Sequence, residues 1–139
     1  MFAAALIPFS HRQHASRKVE CVSCHPNAGG GSRMGTIGAQ GCANCHRTAG
    51  LPATPALQRI DESARRGRAI RWERVHELPR WVWFSHGRHR KTTCATCHGQ
   101  VAQRDLAEEE VTINMQFCRD CHLANNARAV CGTCHNEKK

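Results

Sequence analysis

The chain contains no tyrosine, only four phenylalanines and three tryptophans, and no cysteine outside a Cys-x-x-Cys pair. Leu, Ile, Val and Phe together number 22 of 139 residues, about 16%, beside a net charge of +9, a balance that taken alone resembles a disordered chain. The 40% hydrophobic content does not restore a conventional core, because 18 alanines and 10 cysteines supply half of it. The apolar run MFAAALIPF, from Met1 to Phe9, is too short to span a bilayer, has no basic flank ahead of it and lacks a convincing secretory cleavage site.

What the chain does have is one motif, five times. The groups are Cys21-Cys24-His25, Cys42-Cys45-His46, Cys94-Cys97-His98, Cys118-Cys121-His122 and Cys131-Cys134-His135. Cys-x-x-Cys-His reads as a c-type haem attachment site, with both thiols bonded to the haem vinyl groups and the adjacent imidazole on iron. At this chain's His frequency, 10 in 139, five such pairs would each be followed by His by accident with odds of roughly one in a million. The motifs consume all 10 Cys and five of the 10 His, leaving His11, His14, His76, His86 and His89. Five irons need five distal ligands, neutral imidazole suits them, and the count therefore predicts five haem c groups with two histidines each.

Other uses of cysteine fit less well. Zinc ribbons pair Cys-x-x-Cys groups into four-thiolate sites, but five pairs leave a remainder, and zinc gives no reason for a His after each. A disulfide framework also takes an even cysteine count, yet leaves the histidines unexplained. Nucleic-acid binding is suggested by the pI of about 9.4, but no recognition motif accompanies the charge. The basic balance fits partial neutralisation of about ten haem propionate charges, the alternative being an ordinary solvated surface.

One porphyrin for about 28 residues would provide the missing apolar mass. The expected fold is accordingly haem-cored and mostly irregular, with short α-helices and little or no β-sheet. Its apoprotein is expected not to fold.

Along the chain, residues 1–50 form a dihaem module, 51–75 a linker and 76–139 a trihaem module, together one compact unit. The glycines of PNAGGGSRMGTIGAQG mark a loop, in which Met34 is read as packing rather than as an axial ligand. In the linker, LPATPALQ carries turn punctuation, and RIDESARRGRAIRWERV suits a short amphipathic helix broken near Gly67. Its Arg65, Arg66, Arg68, Arg71 and Arg74 are a solvated face or a dock for propionates or an acidic partner. Trp72, Trp81, Trp83 and Phe84 are expected to pack on haem faces, a partner or membrane interface being the alternative. Residues 99–117 suit an irregular wrap or a short helix, with Met115 as packing.

Phe84-Ser85-His86-Gly87-Arg88-His89 repeats Phe9-Ser10-His11-Arg12-Gln13-His14 at an offset of 75 residues, and each copy precedes a haem motif. The ligand count balances within each module: His11 and His14 for two irons, then His76, His86 and His89 for three.

The FSHxxH unit ahead of Cys-x-x-Cys-His resembles the class III multihaem cytochromes c, small proteins with bis-histidine haems and little regular secondary structure. RWERVHELPRWVWFSHGRHRKTTCATCHGQV, followed by NMQFCRDCHLANNARAVCGTCHN, is similar to the pentahaem subunit of alternative complex III and its relatives in menaquinone-reducing complexes. The likeness spans nearly all 139 residues, including the lone His76 before Leu78 and Pro79. It implies a periplasmic electron wire on a membrane quinol-oxidising complex. It also implies that His11 and His86 are distal ligands for the haems at Cys21–His25 and Cys94–His98, with His14, His76 and His89 capping others. The sequence departs from that family at its start, where a transmembrane anchor is expected and not seen.

These features predict electron transfer rather than catalysis, since all five motifs end in His and no substrate need reach iron. A multihaem reductase would need an open axial position. Three settings compete within electron transfer: a subunit of a membrane oxidoreductase, a diffusing periplasmic carrier, and a cytochrome filament unit passing histidines between copies. Because c-type haem is attached on the outer side of the bacterial cytoplasmic membrane, the expected location is its periplasmic side. A signal or anchor upstream of this Met, or one already removed, is expected to account for export. The partners would be other electron-transfer proteins or quinol oxidoreductase subunits, with membrane association through partners or an unseen N-terminal anchor.

Overall fold

The structure is a computed structural model and describes residues 7–31 and 34–135. The reading of the N-terminus as lacking a signal or anchor rests largely on residues 1–6, which lie outside the described residues. Within them the chain is helical with irregular loops and has no strand, as the composition predicts. No described helix is long and apolar enough to cross a membrane.

The helices are short because most are built around one motif. They are α1 (His11–Ser16), α2 (Cys21–Cys24), α3 (Ala39–Thr48), α4 (Pro55–Arg65), α5 (Cys94–His98), α6 (Met115–Ala124) and α7 (Cys131–Cys134), with 3-10 turns at His86–His89 and Val101–Gln103. Side-chain caps start three of them: Ser10 Oγ accepts from Gln13 N–H, Thr54 Oγ1 from Leu57 N–H and Asn114 Oδ1 from Phe117 N–H. Helix α5 stops at Gly99, whose φ of +68° turns the chain immediately after His98.

Among the described residues one small apolar cluster forms. Ile7, Ala43 and Ile60 are buried together, with Cys42, Leu57, Ala64, Ile70 and Trp72 packed on them. It lies where α4 docks on α3. The segment 51–75 thus carries a packed helix that begins four residues earlier than Arg59. Thr54 caps it and Pro55 presets its first turn, a start signal hidden within the apparent turn punctuation. It ends before Gly67, at φ +60°, near the predicted break.

The two halves are joined reciprocally across the repeat. Arg12 N–H donates to Arg104 O at 2.9 Å, and the corresponding residue of the second copy, Gly87, donates to Gly31 O at 3.2 Å. Gly31 and Arg104 each lie six residues beyond a motif histidine, His25 and His98. Each copy of the ligand-bearing segment therefore rests on the loop that follows the other copy's motif, a local pseudo-two-fold arrangement. Ser10 Oγ also donates to Asp105 at 2.6 Å, and Arg12 pairs with the same carboxylate. In the second copy the close approach is of backbone to backbone: a Cβ on Gly87 would meet Gly30 O at 2.5 Å.

The chain exposes 11223 Å² for its 15.5 kDa, against about 7,200 Å² for a typical globule of that mass. Val22, Leu106, Met115, Leu123 and Val130 are all more than half exposed. Met115, expected to pack, stands 63% exposed at the start of α6, on a face that no described segment covers.

Candidate haem-binding centres

Helical geometry explains the attachment motif. Residues i, i+3 and i+4 share one face of a turn, so α2, α3, α5, α6 and α7 each present two thiols and bring the following imidazole alongside. His25 and His135 occupy the C-cap positions of α2 and α7 in matching conformations, φ −113° ψ 75° and φ −108° ψ 73°. None of the ten cysteines is disulfide-bonded. Among the described residues no three His, Cys, Asp or Glu side chains converge as a metal cluster.

The distal histidines arrive two at a time. His11 and His14 lie on α1, and His86 and His89 on the corresponding 3-10 turn. Phe9 meets His11 edge-on at 4.8 Å and stacks on His14 at 4.5 Å; Phe84 meets His86 and His89 at the same two distances. The phenylalanine of FSHxxH is thus a spacer that sets both rings.

Each of these four imidazoles faces a motif imidazole. The ring centroids are 6.4 Å apart for His11 and His25, 5.9 Å for His14 and His46, 6.4 Å for His86 and His98, and 6.0 Å for His89 and His122. Two imidazoles sharing one metal through Nε2, with bonds of about 2.0 Å on either side, have centroids about 6 Å apart. All four pairs therefore stand at the separation an axial pair requires, and the donor set fits haem iron.

Second-row contacts select the tautomer. His14 Nδ1 donates to Ser10 O and His89 Nδ1 to Ser85 O, both at 2.8 Å; His122 Nδ1 donates to Arg128 O at 2.7 Å and His25 Nδ1 to Gly35 O at 3.3 Å. A carbonyl can only accept, so each bond fixes the proton on Nδ1 and leaves the Nε2 lone pair for a metal. Nδ1 of His11, His46 and His86 is buried without a partner. Burial first, then neighbouring imidazoles, holds His11, His46, His86 and His98 below the usual imidazole value, favouring the neutral ring that metal binding needs.

The fifth centre differs. His135 is exposed, and among the described residues its ring meets no other imidazole. The remaining histidine, His76, lies against His98 instead, at 4.9 Å and 74°, too close for a metal between them, and its Nε2 is buried without a partner. Trp83 N–H donates to Cys134 O at 2.7 Å, which draws α7 back toward the second ligand-bearing segment.

The electrostatic neighbours give the centres an order. Burial and then the thiols of adjacent motifs raise Cys24 (beside Cys45), Cys42 (beside Cys24), Cys97 (beside Cys121) and Cys118 (beside Cys134 and Cys97). His98 feels His25. The first motif thus neighbours the second and the third, and the fourth neighbours the third and the fifth.

The aromatic residues do not form one cluster. Trp72 packs edge-on to Phe9 at 5.9 Å, Arg88 lies over Trp83 at 5.4 Å, and Trp81 is 68% exposed. Of the arginines expected to be solvated or docking, Arg66 pairs with Glu62 at 2.8 Å and Arg74 approaches Glu77 at 3.9 Å, both at the surface. Met34 is exposed and contributes to no imidazole pair. Sequence reasoning missed the carbonyls of Ser10, Ser85, Gly35 and Arg128. For the first two, the serine retained ahead of His in both repeat copies is a usable signal, whereas the others lie in irregular loops.

No protein-family model matches the chain, and no curated protein is detectably similar to it. The short Cys-x-x-Cys spacings at 21–24, 42–45, 94–97, 118–121 and 131–134 are compatible with covalent haem c binding.

Proposed function

We propose that this chain is an electron-transfer protein carrying five covalently bound c-type haems. The observation that carries the reading is the set of four imidazole pairs with centroids 5.9–6.4 Å apart. Such spacing is not expected of histidines that merely share a surface. The excess exposed area, about 4,000 Å² over a typical globule, supports five large apolar groups as the missing interior. Haem supplies reversible one-electron chemistry at iron; the protein spaces the groups, fixes imidazole orientation and tautomer, and closes the axial faces. His76 is assigned to the iron of His135, a pairing the protein does not hold ready-made.

The +9 charge is suited to the haem propionates. The resemblance to the pentahaem subunits of quinol-oxidising complexes supports a place on the periplasmic side of the cytoplasmic membrane, as a non-catalytic subunit. Co-purification of the native protein with an integral quinol-binding subunit supports that setting. Recovery alone without detergent points to a diffusing carrier, and ordered polymers point to a filament.

The exposed, unfaced ring of His135 favours a second reading, a multihaem reductase acting at that iron. The deciding experiment is expression with the c-type maturation machinery, followed by intact mass and electron paramagnetic resonance (EPR). Five haems per chain, all low-spin, are expected. Fewer than five haems overturns the proposal, and a high-spin haem that binds nitrite or hydroxylamine transfers it to the reductase.

A further inference from the structure

The four paired centres fall into two classes, and the pseudo-two-fold arrangement sorts them. The first and third motifs lie at the junction, where Gly87 meets Gly31 and Arg12 meets Arg104. The second motif neighbours the first, and the fourth neighbours the third. The central imidazole pairs are nearly coplanar in orientation, with interplanar angles of 11° for His11 and His25 and 9° for His86 and His98. The outer pairs are crossed, at 56° for His14 and His46 and 38° for His89 and His122.

Hydrogen bonding divides the four histidines of the repeat the same way: His14 and His89 are bonded at Nδ1, His11 and His86 are not. The outer pairs hold three short bonds from Nδ1 to carbonyls, at 2.8, 2.8 and 2.7 Å. The central pairs hold one, at 3.3 Å from His25 to Gly35 O. Nδ1 of both His11 and His86 is buried without a partner, as is Nδ1 of the outer motif residue His46, and the His98 ring makes no hydrogen bond among the described residues. An Nδ1–H that donates to a carbonyl pushes electron density through the ring toward the metal, stabilising the ferric state and lowering the reduction potential. An imidazole without that bond is the poorer donor.

Resting on the haem reading above, we propose that the two central irons, those of His25 and His98, have higher reduction potentials than the two outer irons, those of His46 and His122. Electrons entering from either end of the four-centre run then settle at the junction between the two halves. The repeat makes this a controlled comparison. Each central centre has an outer counterpart served by the same FSHxxH segment, and the same phenylalanine touches both distal rings. What differs within each segment is the Nδ1 partner: the carbonyl of Ser10 or Ser85 reaches the second histidine and not the first.

The crossing angles supply the assay. Ferric haem with near-parallel axial imidazoles gives a rhombic low-spin EPR signal, and crossing the planes moves the signal toward large g anisotropy. A mediated reductive titration of the holoprotein, followed by EPR, should lose the rhombic component at higher potential than the large-anisotropy component. Simultaneous loss, or loss in the opposite order, overturns the proposal. His11→Met and His86→Met check the assignment: each should remove one rhombic component and introduce the near-infrared charge-transfer band of a thioether-ligated ferric haem. Loss of a large-anisotropy component instead also overturns it. Haem stoichiometry, measured on the same samples, separates failure of this ordering from failure of the haem reading, since the order can be wrong with all five haems present.

Discussion

At the scale of single residues, histidine does three jobs here, separable by what surrounds each ring. Motif histidines are held by the turn that holds the thiols. Four distal histidines are set by a phenylalanine and, in two cases, by the carbonyl four residues earlier. His76 has neither device, and its buried Nε2 has no partner. A side chain with so little support is the one whose loss the rest of the molecule should tolerate. His76→Ala is therefore expected to retain five haems by mass while one iron becomes high-spin and, once reduced, binds carbon monoxide. If every haem stays low-spin and none binds carbon monoxide, His76 is not a ligand.

At the scale of elements, the molecule is held less by helix packing than by segments laid across one another. Among the described residues, α3 and α4 form the one substantial helix pair, whereas α1 rests on the turn at Val101–Gln103. The surface ion pairs that accompany these contacts, such as Arg104 with Glu110, are exposed and add little. The junction depends instead on close backbone approach. Gly87→Ala would drive a Cβ against the carbonyl of Gly30, and overpacking of this kind costs about 1–3 kcal/mol. Thermal unfolding of the holoprotein should show the loss for Gly87→Ala, whereas Arg12→Ala, at the equivalent position of the other copy, keeps its N–H bond to Arg104 and should change stability far less. Equal effects would mean that the close approach at Gly87 has no structural weight.

At the scale of the whole molecule, the polypeptide supplies little interior of its own. Among the described residues Ile7, Ala39, Ala43 and Ile60 are the buried hydrophobic side chains, too few to offset the conformational entropy of ordering the chain. Cofactor attachment and folding should therefore be one event. A version with all ten cysteines changed to serine is expected to show no cooperative unfolding by circular dichroism and rapid amide exchange throughout. A cooperative transition in that protein would show that the polypeptide has a core of its own.

The count of motifs, the repeat, the scarcity of aliphatic residues and the absence of strand were all legible in the sequence, because they depend on residue type and on spacing within a turn. The pairing of His11 with His25, His14 with His46, His86 with His98 and His89 with His122 was only partly so. Spacing places two histidines on one turn, but which motif each meets depends on contacts between residues far apart in the chain. The helix at Pro55–Arg65 was obscured because a capping threonine followed by proline reads equally well as a turn until something packs on its apolar face. Composition thus determined that this chain has few aliphatic residues for a core and carries ten imidazoles beside five thiol pairs. The crossing of the two halves, the Nδ1 partners and the different surroundings of His76 were decided only in three dimensions, since they depend on carbonyls and glycines whose role no local pattern announces.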